Sequence, residues 1–154
     1  MRILKKDSYL AMIKNAEGSN LFRTLYGETG GEKQDILRDG DLSCAFFVSS
    51  ILHHFHFAYC KSPHATVAGL ERDLRDSGWW RIEIPAAGDV VFWIPGVQKG
   101  GEEHAHVGFS LGGEEAISND DQMRSPQRHH LTFGTRAGEP VRVIAAIYTR
   151  DFSA

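Results

Sequence analysis

The chain has 154 residues and a mass of 17.2 kDa, which is the size of one average domain with room for a single hydrophobic core. Hydrophobic residues make up 42% of the chain and charged residues 24%, a balance that excludes an intrinsically disordered chain. The formal net charge of −3 argues against a general nucleic-acid-binding protein. No apolar run approaches the roughly 18 residues of a membrane-spanning helix. We therefore expect one domain over residues 1–154, with no membrane span and no nucleic-acid partner.

The N-terminus and the cysteine content bear on the cellular compartment. The basic segment 1–7 is followed by alternating polar and apolar residues, without the continuous apolar stretch of a signal peptide. Two cysteines, Cys44 and Cys60, are too few for a disulfide framework. We expect a protein that is cytoplasmic or exported by a non-classical route.

The first half of the chain carries helical patterns. Apolar residues from Tyr9 to Ala16 recur at helical spacing and predict a helix that stops at Gly18, and residues 21–25 are predicted to add a short helical turn. Glycines interrupt residues 26–41, which are predicted to form a loop.

Two further helices are predicted before residue 79. The apolar segment 43–52 continues at helical spacing to Phe55 and Ala58, which favours a buried helix. A strand is the alternative, because Phe and Val also favour sheets. An amphipathic pattern starting at Val67 predicts another helix that ends at Gly78.

The second half of the chain has the pattern of strands. A Gly112-Gly113 pair predicts a hairpin turn between two of them. Helices followed by strands indicate an α+β fold with an antiparallel sheet rather than alternating β–α–β units. About five strands are predicted, over residues 90–94, 106–111, 115–119, 128–133 and 141–148.

Cys44 is the first candidate for chemistry, because it lies at the predicted N-terminus of an apolar helix. Unpaired N–H groups and the helix dipole at such a position lower a thiol pKa and raise the fraction of reactive thiolate. We therefore expect the pKa of Cys44 to fall below the free value of about 8.5. The competing interpretation is a buried, unreactive cysteine among phenylalanines. Cys60, near the end of the same helical pattern, is interpreted as structural.

His106 is the second candidate, because it begins a predicted strand directly after the polar loop 99–105. A base at this position would project from a sheet edge toward a cleft, and the competing interpretation is an ordinary surface histidine. A metal site built from His104, His106 and His129 is a further alternative. Their spacing matches no well-defined metal motif, so we expect neither a metal nor another cofactor.

Three short motifs follow one another along the chain. Cys44 stands at a helix start, Gly88-Asp-Val-Val-Phe-Trp93 follows, and His106-Val-Gly-Phe-Ser-Leu-Gly112 comes next, trailed by Ala-Ile-Ser-Asn119. This order resembles the papain-like amidases and peptidases of bacterial cell-wall metabolism, the NlpC-type and CHAP families. The resemblance covers residues 43–119 and implies a papain-like α+β fold, with N-terminal helices packed on a C-terminal antiparallel sheet.

In these families a cysteine nucleophile works with a histidine base, and a polar residue on the following strand orients the histidine. The resemblance therefore implies that Cys44 and His106 are the catalytic pair. The third position falls on Ser118 without a gap, but the Asn119 amide would hold an imidazole better and would reach it through a one-residue bulge. The candidate substrate contacts are Tyr26, Trp93 and Ser118.

The resemblance implies a cysteine hydrolase that cleaves an amide in peptidoglycan or a muropeptide, either as a stem-peptide endopeptidase or as an amidase. Two alternatives stay open: a non-catalytic binding module on the same fold, which the altered residues Ser43 and Ala45 beside the cysteine favour, and a cysteine hydrolase of a non-wall amide. A metal-dependent hydrolase that uses the three histidines is the third alternative.

Overall fold

The computed structural model describes residues 1–59, 62–97 and 101–153. Within them the chain forms three helices and a mainly antiparallel set of strands, which confirms the predicted α+β class. The helices are α1 (Lys5–Asn15), α2 (Cys44–His54) and α3 (Val67–Asp76). The strands are β1 (Tyr26–Thr29), β2 (Glu32–Asp35), β3 (Trp80–Ile82), β4 (Val90–Val97), β5 (Glu103–Gly112), β6 (Glu115–Asp120), β7 (Ser125–His130), β8 (Thr135–Arg136), β9 (Glu139–Pro140) and β10 (Ile144–Thr149).

Six strands form one antiparallel sheet in the order β3-β10-β4-β5-β6-β7. The sequence predicted about five strands, and the additional one is β3, which is too short and too exposed to show an apolar pattern. Strand β7 begins at Ser125 and ends at His130, earlier than the predicted 128–133. The strands β8 and β9, of two residues each, pair with one another in a separate antiparallel hairpin.

The segment expected to be a loop after α1 is in part a hairpin. Strands β1 and β2 pair antiparallel around Gly30 and Gly31, whose positive φ angles of 62° and 83° allow the tight turn. The hairpin is exposed and polar on both faces, so no hydrophobic alternation reveals it in the sequence. It also interrupts the expected division into N-terminal helices and a C-terminal sheet. Residues 21–23 form a turn and a bend, and residues 24–25 are irregular, so the expected helical turn is not formed.

The main core lies between the helices and one face of the sheet. Tyr9 of α1 is fully buried, packs edge-on against Phe57 and Phe109, and donates its hydroxyl to the Gly88 carbonyl at 2.8 Å. Helix α2 is buried along most of its length, which explains its continuous apolar sequence. Its Phe47 packs against Phe109 of β5, so the helix that carries Cys44 rests directly on the strand that carries His106.

A second cluster covers the other face of the sheet. Trp93 of β4 is its largest member, and it is only 1% exposed.

None of the helices in the described part of the chain combines the length and the apolar character needed to cross a membrane.

Strands β5 and β6 approach closely at Gly108, which is paired with Ser118 across the sheet. A Cβ atom at position 108 would lie 2.5 Å from the Ile117 carbonyl oxygen, 2.7 Å from the Ser118 Cβ and 3.2 Å from the Trp93 ring. A side chain at this position would therefore push β5 and β6 apart, because a backbone carbonyl cannot move aside as a flexible side chain can.

We expect Gly108→Ala to lower the free energy of unfolding by about 3 kcal/mol, the upper end of the usual cost of overpacking. Gly113→Ala is the matched control: its φ is 58°, a Cβ atom added there would have no neighbour within 4 Å, and only backbone strain of about 1 kcal/mol is expected. Urea denaturation measures both variants. Equal costs at the two positions would show that the strand contact at Gly108 is not tight.

Candidate active site

Cys44 is the first residue of α2, and its side chain is partly exposed. The Ser43 side chain makes no capping hydrogen bond, so it leaves the N–H groups of the first turn free of side-chain partners. The thiol lies beside the N–H groups of Ala45 and Val107, which lower its pKa, as does the charge of Arg142. Burial outweighs these effects and raises the pKa of Cys44. The expectation of a lowered thiol pKa was therefore wrong, because desolvation of the thiolate exceeds the stabilisation at the helix N-terminus.

His106 lies on β5, and its imidazole packs against the rings of Trp93 and Phe133. The ring centres are 5.5 Å and 5.8 Å from that of the imidazole, respectively. Its Nε2 is 2.8 Å from the Ser118 hydroxyl. Its Nδ1 makes no hydrogen bond to any residue that the structure describes, and it is not among the fully buried polar atoms without a partner. Nδ1 is therefore the ring nitrogen open to the adjacent space.

Cys44 and His106 line the same cavity, which has a volume of about 560 Å³. Cys44 enters it from the main core and His106 from the opposite face of the sheet, next to the second cluster. Val107, whose N–H lies beside the thiol, is the neighbour of His106 along β5. The two candidate residues thus line one cavity although they are distant in sequence, but no hydrogen bond joins the Cys44 thiol to the His106 imidazole.

A chain of three hydrogen bonds runs from His106 across the sheet. The Ser118 hydroxyl is also 2.7 Å from Nε2 of His129 on β7, and Nδ1 of His129 is 2.7 Å from the His130 carbonyl. A carbonyl only accepts, so Nδ1 of His129 carries a proton, and Nε2 of the neutral ring is an acceptor. Ser118 must then donate its single proton to His129 and accept from Nε2–H of His106. This order leaves the lone pair of His106 on Nδ1, where a base facing the cavity needs it.

The two imidazoles in this series of hydrogen bonds, those of His106 and His129, are both neutral. Burial is the main cause that lowers the pKa of His106 to about 3, with a smaller contribution from the charge of Arg142. Burial also lowers the pKa of His129. A neutral His129 is what the hydrogen-bond order requires, since a protonated ring would donate to Ser118 rather than accept from it.

Asn119 does not orient His106, contrary to expectation. Successive residues of a strand point to opposite faces, and no bulge turns Asn119 toward the imidazole. Its Nδ2 instead donates to the Gly40 carbonyl at 2.7 Å. Asn119 therefore anchors the segment that leads into Cys44, while Ser118 bonds to the histidine.

The three expected substrate contacts have other environments. Tyr26 is exposed on the β1–β2 hairpin under the Lys33 ammonium, 4.0 Å from the ring centre, and does not line the cavity. Trp93 is buried and donates its indole N–H to the Leu131 carbonyl. Ser118 does line the cavity, but its hydroxyl is engaged by two imidazoles.

The alternative site of three histidines is not assembled. His104 turns to the Glu102 carboxylate, with Nε2 3.0 Å from Oε2. Among the residues with described positions, no group of three His, Cys, Asp or Glu side chains is placed to hold a metal ion. Cys60, interpreted as structural, lies outside the described residues.

Two features of the site were not predicted from the sequence. One is the hydrogen bond of His129 to Ser118, and the other is the presence of Arg142 in the cavity. The register of β6 against β7 pairs Ser118 with Gln127 and Ala116 with His129, so that His129 reaches Ser118 diagonally. The sequence gives no sign of this register.

Neither the protein-family models nor the curated proteins contain a match to this chain.

The shifted pKa of His106 makes stability depend on pH. The folded-state pKa lies below the ordinary value of 6.5, so the contribution of neutral His106 is complete above pH 6.5 and is lost as the pH falls toward 3. We expect the free energy of unfolding to fall by about 2 kcal/mol more between pH 7 and pH 5 in the unmodified protein than in His106→Gln.

Urea denaturation at the two pH values measures this difference. The control is His54→Gln, because exposed His54 is hydrated in both the folded and the unfolded state. A fall that is equally steep with and without His106 would contradict the buried neutral imidazole.

The hydrogen-bond order predicts opposite tautomers for the two histidines. At pH 7 we expect ¹⁵N NMR to show the proton of His106 on Nε2 and that of His129 on Nδ1. Ser118→Ala removes the link, so we expect a second tautomer of His106 to become populated while His129 keeps its bond to the His130 carbonyl. If His106 of the unmodified protein carries its proton on Nδ1, the direction of the hydrogen bond to Ser118 is the opposite of the one inferred. Nδ1 would then have no lone pair with which to act as a base.

Proposed function

We propose that the protein is a cysteine hydrolase that cleaves an amide bond, with Cys44 as nucleophile and His106 as general base and acid. One observation carries the proposal: a thiol at a helix N-terminus shares a cavity with an imidazole whose Nδ1 is open and whose Nε2 is tied back to Ser118. Nucleophile, base and an orienting group are the components that this chemistry requires.

The reaction begins with both groups neutral. His106 Nδ1 takes the thiol proton as Cys44 Sγ attacks the amide carbonyl carbon, and the imidazolium then protonates the departing amine. A thioester remains on Cys44. Water, deprotonated by Nδ1, attacks the thioester and releases a carboxylic acid and the free thiol.

Transfer of the proton creates two opposite charges in the same cavity, and their attraction opposes the desolvation that raises the pKa of the thiol and lowers that of the imidazole. The backbone N–H of Cys44 is the proposed donor to the oxyanion, because it stands at the unpaired start of α2. Ser118 and His129 hold the imidazole with its lone pair on Nδ1 throughout the cycle.

The papain-like resemblance agrees with this arrangement. A cysteine at the start of a buried helix rests on an antiparallel sheet, and the histidine lies on a central strand of that sheet. The proposed substrate is therefore the one that the resemblance implies, an amide of peptidoglycan or of a muropeptide. The raised thiol pKa favours one alternative, a binding module on the same fold in which Cys44 does not react.

Purified protein incubated with isolated peptidoglycan or muropeptides tests the proposal. We expect mass spectrometry to show products that have gained one water, and Cys44→Ala to lower the rate by at least about 10³-fold. Cys60→Ala removes the other cysteine and is the matched control. A new amine on the diamino acid identifies an endopeptidase, and release of the whole stem peptide from the sugar identifies an amidase.

Two results would contradict parts of this proposal. Hydrolysis that persists in Cys44→Ala would contradict the cysteine mechanism. A folded, thiol-reactive protein that leaves every muropeptide intact would contradict the wall substrate, and muropeptide binding that is equal with and without Cys44 would favour the binding module.

A further inference from the structure

Arg142 lines the cavity beside Cys44 and His106 and is held rigidly. Its Nη2 donates to the His104 carbonyl at 2.8 Å and its Nε to the Ile94 carbonyl at 3.3 Å. The guanidinium also lies over the Phe133 ring. These contacts fix one edge of the planar group, so its remaining amino group has a defined direction.

No carboxylate forms an ion pair with Arg142 within the described residues, although Asp121, which lines the same cavity, is close enough for its charge to raise the pKa of Arg142. Its Nη1 has no acceptor among the described residues, and this nitrogen is not among the fully buried polar atoms without a partner. Arg128 lines the same cavity but is paired with the carboxylates of Glu17 and Glu115 at 2.9 and 3.2 Å. Within the described residues the cavity thus holds one arginine that forms ion pairs and one that forms none.

The charge of Arg142 is close to the reacting groups. It lowers the pKa of both the Cys44 thiol and the His106 imidazole. Arg142 is only partly exposed, and this burial lowers the pKa of its guanidinium. An anion that enters the cavity would meet this charge in a medium of lower dielectric constant than water, where the attraction is stronger.

We propose that Arg142 binds a carboxylate of the substrate next to the bond that is cleaved, so that the protein selects acidic acyl compounds. This inference rests on the proposed function. A guanidinium recognises a carboxylate through directed N–H donors, and two of its five donors are already used to fix it in place. The specificity of the site would then come from Nη1 and from the charge.

Two alkylating reagents of the same shape test this inference without the natural substrate. Iodoacetate and iodoacetamide both transfer a CH₂ group to sulfur with loss of iodide, and they differ only in a carboxylate against a carboxamide. The measured quantity is the ratio of their rates at Cys44, located by peptide mass spectrometry and divided by the same ratio for 2-mercaptoethanol. We expect this normalised ratio to be about five, which corresponds to the free energy of a partly solvated charge interaction.

Arg142→Gln should bring the normalised ratio to about one, whereas Arg128→Gln, which removes the arginine already paired with carboxylates, should leave it unchanged. Arg142→Lys keeps the charge and should retain part of the preference, which covers the case in which Arg142→Gln does not fold. A ratio near one in the unmodified protein would overturn the inference. So would a preference for iodoacetate that survives Arg142→Gln.

The outcome is separable from that of the proposed function. Muropeptide hydrolysis without a preference for iodoacetate would overturn the role of Arg142 alone. A clear preference at Cys44 without hydrolysis of any amide would overturn the hydrolase and leave the anion site standing.

Discussion

The absence of a side chain at position 108 is the constraint on which the candidate site depends. Gly108 lies opposite Ser118, and the space that its side chain would fill is bounded by Ser118 and by the Trp93 ring. Because no side chain stands between them here, β5 and β6 lie close together, and His106 reaches diagonally across to the Ser118 hydroxyl. The close packing of β5 on β6 and the orientation of the His106 imidazole therefore both depend on a glycine at position 108.

The site is otherwise assembled from two sides. Helix α2 delivers Cys44 by burying its apolar residues against β5, and the Asn119 amide fixes the Gly40 carbonyl just before the helix. Burial has an electrostatic consequence, since it opposes the charged form of the thiol and of the imidazole alike. Chemistry in such a site depends on moving a proton between the two groups rather than on a charge held permanently by either of them.

Much of the architecture could be predicted from the sequence, because strong periodic patterns mark buried elements. Helices α2 and α3 and strands β4 to β6 are examples, and Cys44 and His106, predicted from their positions at a helix start and a strand start, line the same cavity. The exposed hairpin β1–β2 was missed because it has no buried face. The partner of His106 was assigned to Asn119 because asparagine is chemically better suited, but strand alternation points it toward Gly40. His129 depends on a strand register, which a single sequence does not encode locally.

A hydroxyl between two imidazoles differs from a planar amide in one respect. An amide oxygen is an acceptor in every state, whereas a serine hydroxyl rotates and turns its single proton to either neighbour. Its direction must be imposed from outside, and here the outermost group is the carbonyl of His130, which fixes His129 and through it Ser118. The protonation pattern of the ring that faces Cys44 is thus determined by the backbone of β7, the last strand of the sheet, and a shift of that edge strand alone would be enough to release it.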